Sequence, residues 1–240
     1  MPSSTIFAVE TLEVNGIAIA VQRKAIKNIN LKVHPPDGRV SITAPIHADL
    51  ARVRQFAESK VGWIEKKRAK CRLQQPPEPR QYIAGETHYY RGQPCCLQVH
   101  STAGKQRVEL QDPDVLHLYT RSPATAADRE QVLYGWYRQQ LKAIAPALIK
   151  KWEPIMDVQV NEVRVKRMKT RWGTCNIQKR RVWLNVELMR SPPHCLEYVV
   201  VHEMVHLLER LHNDRFHRLL GQFLPTYKMT EAELRQVRLS

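Results

Sequence analysis

The chain has 240 residues, enough to bury a core in one or two domains. Its hydrophobic fraction of 43% and charged fraction of 25% are typical of a soluble globular protein, and no apolar run is long enough for a membrane span. The net charge of +15 favours nucleic acid or an acidic substrate as a partner about as much as it favours a merely solvated basic surface.

The N-terminal residues and the cysteines indicate the same cellular location. The first five residues lack the basic and apolar stretches of a secretory signal. The five cysteines are odd in number, Cys95 and Cys96 are adjacent, and no pair has C-x-x-C spacing, so neither a disulfide framework nor a cysteine-based zinc site is indicated. We expect a cytoplasmic protein with reduced thiols.

The first third of the chain is rich in predicted strands. Asn15-Gly16 and Asp37-Gly38 provide turns, and Asn-Gly between alternating segments is typical of a hairpin. The strands are expected at Ile6–Val14, Ile17–Arg23, Asn30–Val33 and Val40–Ala44. One helix, capped by Asp49, is predicted to run to about Arg72.

A second β region follows a proline-rich connector at residues 74–79. Its strands are expected at Gln81–Ile83, Thr87–Tyr90, Cys95–His100, Gln106–Leu110 and Val115–Tyr119. Residues 125–152 are predicted to be helical, with a kink or a break at Pro146. The sequence therefore suggests a β-rich N-terminal region with one helix at residues 1–122, and a helical connection with a catalytic domain at residues 123–240.

The last third has an α+β pattern. Strands are predicted at Val158–Val165 and Val182–Val186, and Ser191-Pro192 is a favourable helix start because proline is tolerated in the first helical turn. The second of these strands is a candidate sheet edge that could bind a peptide main chain by strand addition.

The predicted helix after Ser191 carries His202-Glu203-Met204-Val205-His206. Four residues span slightly more than one helical turn, so the two imidazoles lie on one face and can bind one metal ion. Glu203 is then placed to activate a water molecule, which is the chemistry of the H-E-x-x-H motif. An apolar stripe that includes Leu196, Val200 and Met204 is expected on the opposite face. The pattern predicts a zincin-like catalytic region.

A catalytic zinc ion usually takes a third protein ligand, and His212 is the favoured residue. On an unbroken helix it would lie about 240° from His206, so the helix must end near residues 208–211 for His212 to reach the metal. Asn213 or Asp214 can cap a following helix. His217 and Glu231 are the alternatives for the third ligand.

Several segments together resemble one known family. They are Arg171-Trp172-Gly173-Thr174-Cys175, Leu184-Asn185, the run 201–207, and His212 with Phe216. This pattern is similar to that of the YgjP-like metallopeptidase family, and Pro45 and residues 60–64 extend the resemblance over nearly the whole chain. Four positions depart from the family pattern: Thr174 and Asn213 replace serine, Met204 replaces leucine, and His217 replaces tryptophan. The resemblance implies zinc ligation by His202, His206 and His212, with Glu203 as general base.

We therefore expect a zinc-dependent metallopeptidase that acts on a protein or peptide. Arg171, Asn185 and Tyr198 are candidates for binding substrate or stabilising the oxyanion. Two alternatives remain: a nucleic-acid-associated protein with a structural zinc ion, and a protease of DNA-linked proteins, suggested by a looser resemblance to the SprT-like zinc proteases.

Overall fold

The computed structural model describes residues 10–73 and 79–237. The chain divides into two compact units, with the boundary between Pro79 and Arg80. It is a mixed α+β protein, as the sequence predicts. Among the described residues, no helix combines the length and the apolar character needed to cross a lipid bilayer.

The first unit is a four-stranded sheet followed by two helices. Its elements are β1 (Glu10–Val14), β2 (Ile17–Lys24), β3 (Asn30–His34), β4 (Arg39–Pro45), α1 (Leu50–Glu58) and α2 (Val61–Leu73). The strand order is β1-β2-β4-β3, with β2 and β4 parallel and the outer pairs antiparallel. The predicted Asn15-Gly16 hairpin is confirmed, since both residues have positive φ and Val14 pairs with Ile17. Residues 6–9 of the first predicted strand and 74–78 of the predicted connector lie outside the described residues.

The helix predicted from Asp49 to about Arg72 is two helices. The hydroxyl of Ser59 donates to the carbonyl of Phe56 at 2.8 Å, and the Lys60 N–H bonds to Ala57 instead of Phe56. The side chain of Ser59 thus takes the acceptor that a continuous α-helix would give to Lys60. The predicted cap at Asp49 is confirmed, because its side chain accepts from the N–H of Ala51.

The second unit begins with another four-stranded sheet and ends in helices. Its elements are β5 (Thr87–Tyr90), β6 (Gln93–Ser101), β7 (Arg107–Asp112), β8 (Val115–Thr120), α3 (Ala126–Met156), β9 (Glu162–Lys166), β10 (Gly173–Asn176), β11 (Arg181–Asn185), a 3₁₀ helix (Val186–Arg190), α4 (Pro193–Val205), α5 (Asp214–Phe223) and α6 (Tyr227–Gln236). The strand order β5-β6-β8-β7 repeats the pairing pattern of the first sheet, with its parallel inner pair. This recurrence of topology is not visible in the sequence.

The boundary between the units differs from the division expected at residues 122 and 123. Buried residues of β6 and β8, such as Leu97 and Leu118, belong to the same core as Leu133 and Leu141 of α3 and Val200 of α4. Because the second sheet packs into the core that also holds α4, residues 80–122 fold with the C-terminal part of the chain.

Local hydrogen bonds explain two other differences. The strand expected at Gln81–Ile83 does not form, because the N–H groups of Gln81 and Tyr82 donate to the carboxylate of Glu86 at 2.8 and 3.0 Å. The strand expected at Val158–Val165 begins only at Glu162. Its first residues bind the end of α3 instead, where Val160 N–H donates to the Glu153 carboxylate at 2.8 Å.

Helix α3 runs from Ala126 to Met156 without the break expected at Pro146. A capping box between Thr125 and Asp128 fixes its first turn. Three of its fully buried side chains, Leu133, Tyr137 and Leu141, anchor the helix in the core.

Candidate metal and catalytic centre

Helix α4 holds the predicted motif in the interior of the second unit. The apolar residues Leu196, Val200 and Met204 are buried as expected. The opposite side of the helix is also enclosed, since Val199 and Val205 are buried as well. Both sides of the helix are therefore enclosed, and His202 and Glu203 line a cleft.

The chain turns immediately after the motif. Helix α4 ends at Val205 and His206 is its C-cap, slightly earlier than the end expected near residues 208–211. Asn213 caps α5 by accepting from the N–H of Phe216 at 3.0 Å. This turn returns His212, which directly precedes the cap, to the histidines of α4.

Three imidazoles converge at this turn. One ligand atom each from His202, His206 and His212 lies within 4.8 Å of the others, a spacing at which they can hold a metal ion. The Nε2 atoms of His202 and His212 are 3.0 Å apart, and the ring centroids of His206 and His212 are 4.7 Å apart. The sequence-predicted ligands are thus brought together.

Neighbouring groups orient these rings. The Nδ1 of His206 lies 3.3 Å from the carbonyl oxygen of Glu209, so Nδ1–H can donate there and leave Nε2 as a lone-pair ligand. The fully buried ring of Phe216 lies under the cluster, with its centroid 4.5 to 5.0 Å from the centroids of all three imidazoles. Phe216 therefore provides a rigid apolar base for the histidines.

His202 and His206 are held in the neutral form that binds metals. Burial, and then the charges of the neighbouring imidazoles, lower the pKa of His202 to about 3. Burial also lowers the pKa of His206, although the Glu209 carbonyl opposes this shift. Neutral rings offer free lone pairs without first releasing a proton.

Glu203 is buried beside the cluster with only 4% of its surface exposed. Its Oε2 has no hydrogen-bond partner, which is unusual for a buried carboxyl oxygen. Burial raises the pKa of Glu203 to about 8, and the positive charge of Arg171 partly offsets this. The group is therefore a buried acid or base rather than a structural ion pair.

A short strand that the sequence does not predict faces Glu203. Strand β10 lies between the strands predicted at Val158–Val165 and Val182–Val186, and it pairs with β11 in the order β10-β11-β9. The Val182–Val186 strand suggested as a substrate edge is therefore central, because β9 and β10 occupy both of its edges. The free edge next to the cleft belongs to β10.

Gly173 of β10 lies against the carboxyl group of Glu203. A methyl group at this position would stand 2.6 Å from Oε1 and 2.7 Å from Cγ of Glu203. Such distances force one of the groups to move, so this glycine is required by space rather than by a left-handed backbone. Gly173 is a positioning residue that only the three-dimensional arrangement identifies.

The substitution Gly173→Ala is expected to lower peptide hydrolysis by roughly 100-fold, because a displacement of about 1 Å at a reacting group has an effect of that size. The expected change is in kcat/KM, with metal content unchanged, since the three atoms nearest to the added methyl group all belong to Glu203. Gly135→Ala in α3 is the matched control, because nothing lies within 4 Å of its added methyl group. Equal activity of the two variants would contradict the positioning role.

The cleft has a volume of about 670 Å³. It is lined by residues from the segment 171–177, from α4, from the turn with His212 and from α6: Arg171, Trp172, Gly173, Thr174, Cys175, Ile177, Tyr198, Val199, His202, Glu203, His206, Arg210, His212, Glu231, Leu234 and Arg235. Two of the three substrate-binding candidates, Arg171 and Tyr198, are therefore at the site. Burial raises the pKa of Tyr198, so its hydroxyl remains a hydrogen-bond donor.

Asn185 forms structural hydrogen bonds instead of facing the substrate, contrary to the expectation from the sequence. It is fully buried, and its Nδ2 donates to the carbonyls of Met168 and Arg171 at 2.7 and 2.8 Å. Its Oδ1 accepts from the N–H groups of Met168 and Glu187. With its amide occupied in this way, Asn185 cannot donate to a substrate, and it instead holds the loop that carries Arg171.

The alternative third ligands lie apart from the histidine cluster. His217 packs against Tyr227, with 6.2 Å between ring centroids. Glu231 lines the cleft but accepts from Arg235 at 2.7 Å. Neither residue belongs to the ligand group formed by the three histidines among the described residues. Cys175 also lines the cleft, and burial raises the pKa of its thiol to about 11.

Comparison with known proteins gives one extensive match. The model of the YgjP-like metallopeptidase domain matches residues 27–237. A comparison of the sequence with curated proteins found no match.

Two solved structures show a slight likeness. The metallopeptidase zymogen of Pyrococcus abyssi abylysin is 18% identical with a TM-score of 0.37, over 40% of this chain and 100% of that one. The zymogen of Methanocaldococcus jannaschii jannalysin is 15% identical with a TM-score of 0.35, over 38% and 94% of the two chains. Both TM-scores are too low to support an inference about this chain.

Proposed function

The chain belongs to the YgjP-like metallopeptidase family, and from this premise we propose that it hydrolyses peptide bonds with a zinc ion held by His202, His206 and His212. The observation that carries the proposal is the convergence of three imidazoles next to a buried carboxyl group whose Oε2 has no hydrogen-bond partner. Three nitrogen ligands with one open position are typical of catalytic zinc, whereas structural zinc usually takes four protein ligands.

The donor chemistry also favours zinc among common divalent ions. Imidazole nitrogen suits zinc, whereas magnesium and calcium prefer oxygen ligands. When bound, zinc supplies Lewis acidity, which lowers the pKa of water toward neutrality and polarises a carbonyl group.

Glu203 is proposed as the general base and then the general acid. A cation bound at the histidines would favour the ionised form of Glu203. Its Oε2 has no competing donor, so the carboxylate can accept a proton from the attacking water and return that proton to the leaving amine. Gly173 holds the carboxyl group from the side of β10. Tyr198 and Arg171, which line the cleft, are the proposed donors to the negatively charged oxygen.

The free edge of β10 is the proposed binding place for the substrate main chain. Strand β10 ends its sheet, so the outward N–H and C=O groups of the strand can pair with an extended peptide. Thr174 and Cys175 of this strand line the cleft that also contains Glu203. A peptide added here would cross the site in an extended conformation.

Removal of the metal tests the proposal. Dialysis against a chelator should abolish casein hydrolysis, and one equivalent of zinc at the histidine cluster should restore it, while magnesium should not. The measurements are the initial rate of hydrolysis and the metal content of the same samples. Full hydrolysis by metal-free protein would contradict the proposed reaction.

We also propose that the protein binds nucleic acid, on the basis of its positive charge. The net charge is +15, and the exposed Arg164 and Lys166 of β9 flank the ring of Trp183 at 5.4 and 4.6 Å. Cations beside an aromatic ring are typical of surfaces that bind single-stranded nucleic acid. Such binding would weaken steeply with rising salt concentration.

A further inference from the structure

A second group of metal-ligating side chains lies at the other end of α4. It consists of His194 and Cys195 in the first turn of α4 and Glu233 of α6. Their ligand atoms all lie within 4.8 Å of one another, and His194 Nε2 is 2.6 Å from Glu233 Oε2. A nitrogen, a sulfur and a carboxylate oxygen from two helices thus meet at one point.

We propose that His194, Cys195 and Glu233 form a second binding site for a zinc-class divalent cation. A thiolate with an imidazole and a carboxylate is a ligand set suited to zinc and cobalt, and the thiolate disfavours magnesium and calcium. On binding, the cation takes the place of the thiol proton, which is released to solvent. Water completes the coordination.

The exposure of the three side chains suits entry of a cation. The side chains of His194 and Glu233 are 54% and 42% exposed, whereas Cys195 is fully buried below them. A hydrated ion can therefore meet the imidazole and the carboxylate first and then the thiol. Because both partners of the ion pair are exposed, the pair can open to admit the ion without unfolding the core.

This site is separate from the proposed catalytic centre. His194 precedes His202 by eight residues on one helix, which corresponds to about 12 Å along the axis. Ions in cocatalytic pairs are only about 4 Å apart, so the second ion would not take part in the reaction. It would tie α6 to the first turn of α4.

A cation that links α6 to α4 would also affect the cleft. Helix α6 also carries Glu231, Leu234 and Arg235, which line the cleft. A cation bound by Glu233 would fix this wall with respect to α4. The second site is thus a structural or regulatory metal site.

Cobalt binding tests the proposal, because a thiolate ligand gives a near-ultraviolet sulfur-to-cobalt charge-transfer band and a site of three histidines does not. The full chain carrying His202→Ala and His206→Ala removes the histidine cluster from the measurement, so the result does not depend on peptidase activity. We expect this protein to bind one equivalent of cobalt with the charge-transfer band. Adding Cys195→Ser should abolish the band, and adding Cys175→Ser, the matched change at a cleft cysteine, should preserve it.

A second variant covers the case in which Cys195→Ser does not fold. Glu233→Gln changes a half-exposed side chain, and it should lower the cobalt affinity at least about tenfold with an unchanged circular dichroism spectrum. Absence of the band in the starting protein would overturn the proposal. So would its loss with Cys175→Ser, or an unchanged cobalt affinity in Glu233→Gln.

Discussion

Glu203→Gln is expected to lower kcat/KM for casein hydrolysis by about 10²- to 10⁴-fold, the usual contribution of a general base. Glutamine keeps the size of the side chain but cannot accept a proton from water. The residue is buried and contacts Gly173, so a side chain of the same shape should leave the surrounding packing intact. Zinc content should remain that of the unaltered protein, because the three histidines are unchanged.

Initial rates on casein and zinc analysis of the same preparations provide the measurement. Glu231→Gln is the matched control, since Glu231 lines the same cleft but is paired with Arg235. We expect this control to retain most of the activity. Full activity of Glu203→Gln, or loss of zinc from it, would show that the carboxyl group has another role.

His212→Ala is expected to abolish both hydrolysis and tight zinc binding at the histidine cluster. Even loss of a residue that only hydrogen-bonds to a metal ligand lowers metal affinity by about 10- to 100-fold. Loss of a direct ligand should lower the affinity at least as much. His212 is exposed on a turn, so the substitution removes no buried side chain. The fold should therefore be preserved while the site is lost.

The measurement is a zinc titration against a competing chelator, with circular dichroism as the check on folding. His217→Ala is the control, because His217 lies only five residues further along and packs against Tyr227 instead of the other histidines. Unchanged zinc affinity in His212→Ala would make Glu231 the next residue to test. Equal losses in both variants would point to a general effect on α5.

The sequence predicts the convergence of the histidines well, because its geometry is local. The spacing of His202 and His206 places both rings on one side of a helix whatever the rest of the chain does. His212 required one further condition, a helix end before it, and Asn213 provided the signal for the next helix. Such short-range rules can be read from residue order alone.

Gly173 and Asn185 could not be assigned in this way. Gly173 matters because β10 passes against Glu203, thirty positions later in the chain, and its segment has the weak strand propensity of glycine and asparagine. Asn185 has the chemistry of an oxyanion donor, but its partners at Met168 and Arg171 are fixed by tertiary folding. Long-range packing decided both roles.

The same distinction applies to the fold. Hairpin turns and helix caps were predicted because a few adjacent residues determine them, as at Asn15-Gly16 and Asp49. The boundary between the two units was not, because composition cannot tell that β5–β8 share a core with α3.

The turn between α4 and α5 belongs both to the proposed metal site and to the packing of the folded chain, so bound metal would stabilise the protein against degradation. Asn213 and Phe216 form the start of α5, and the same Phe216 ring lies against all three histidines. A ligand that binds only the folded chain stabilises it, by about 2.7 kcal/mol at a free concentration of 100 times Kd. Under the proposed function, zinc starvation would therefore leave a less stable chain that is degraded sooner, so abundance as well as turnover would follow the metal.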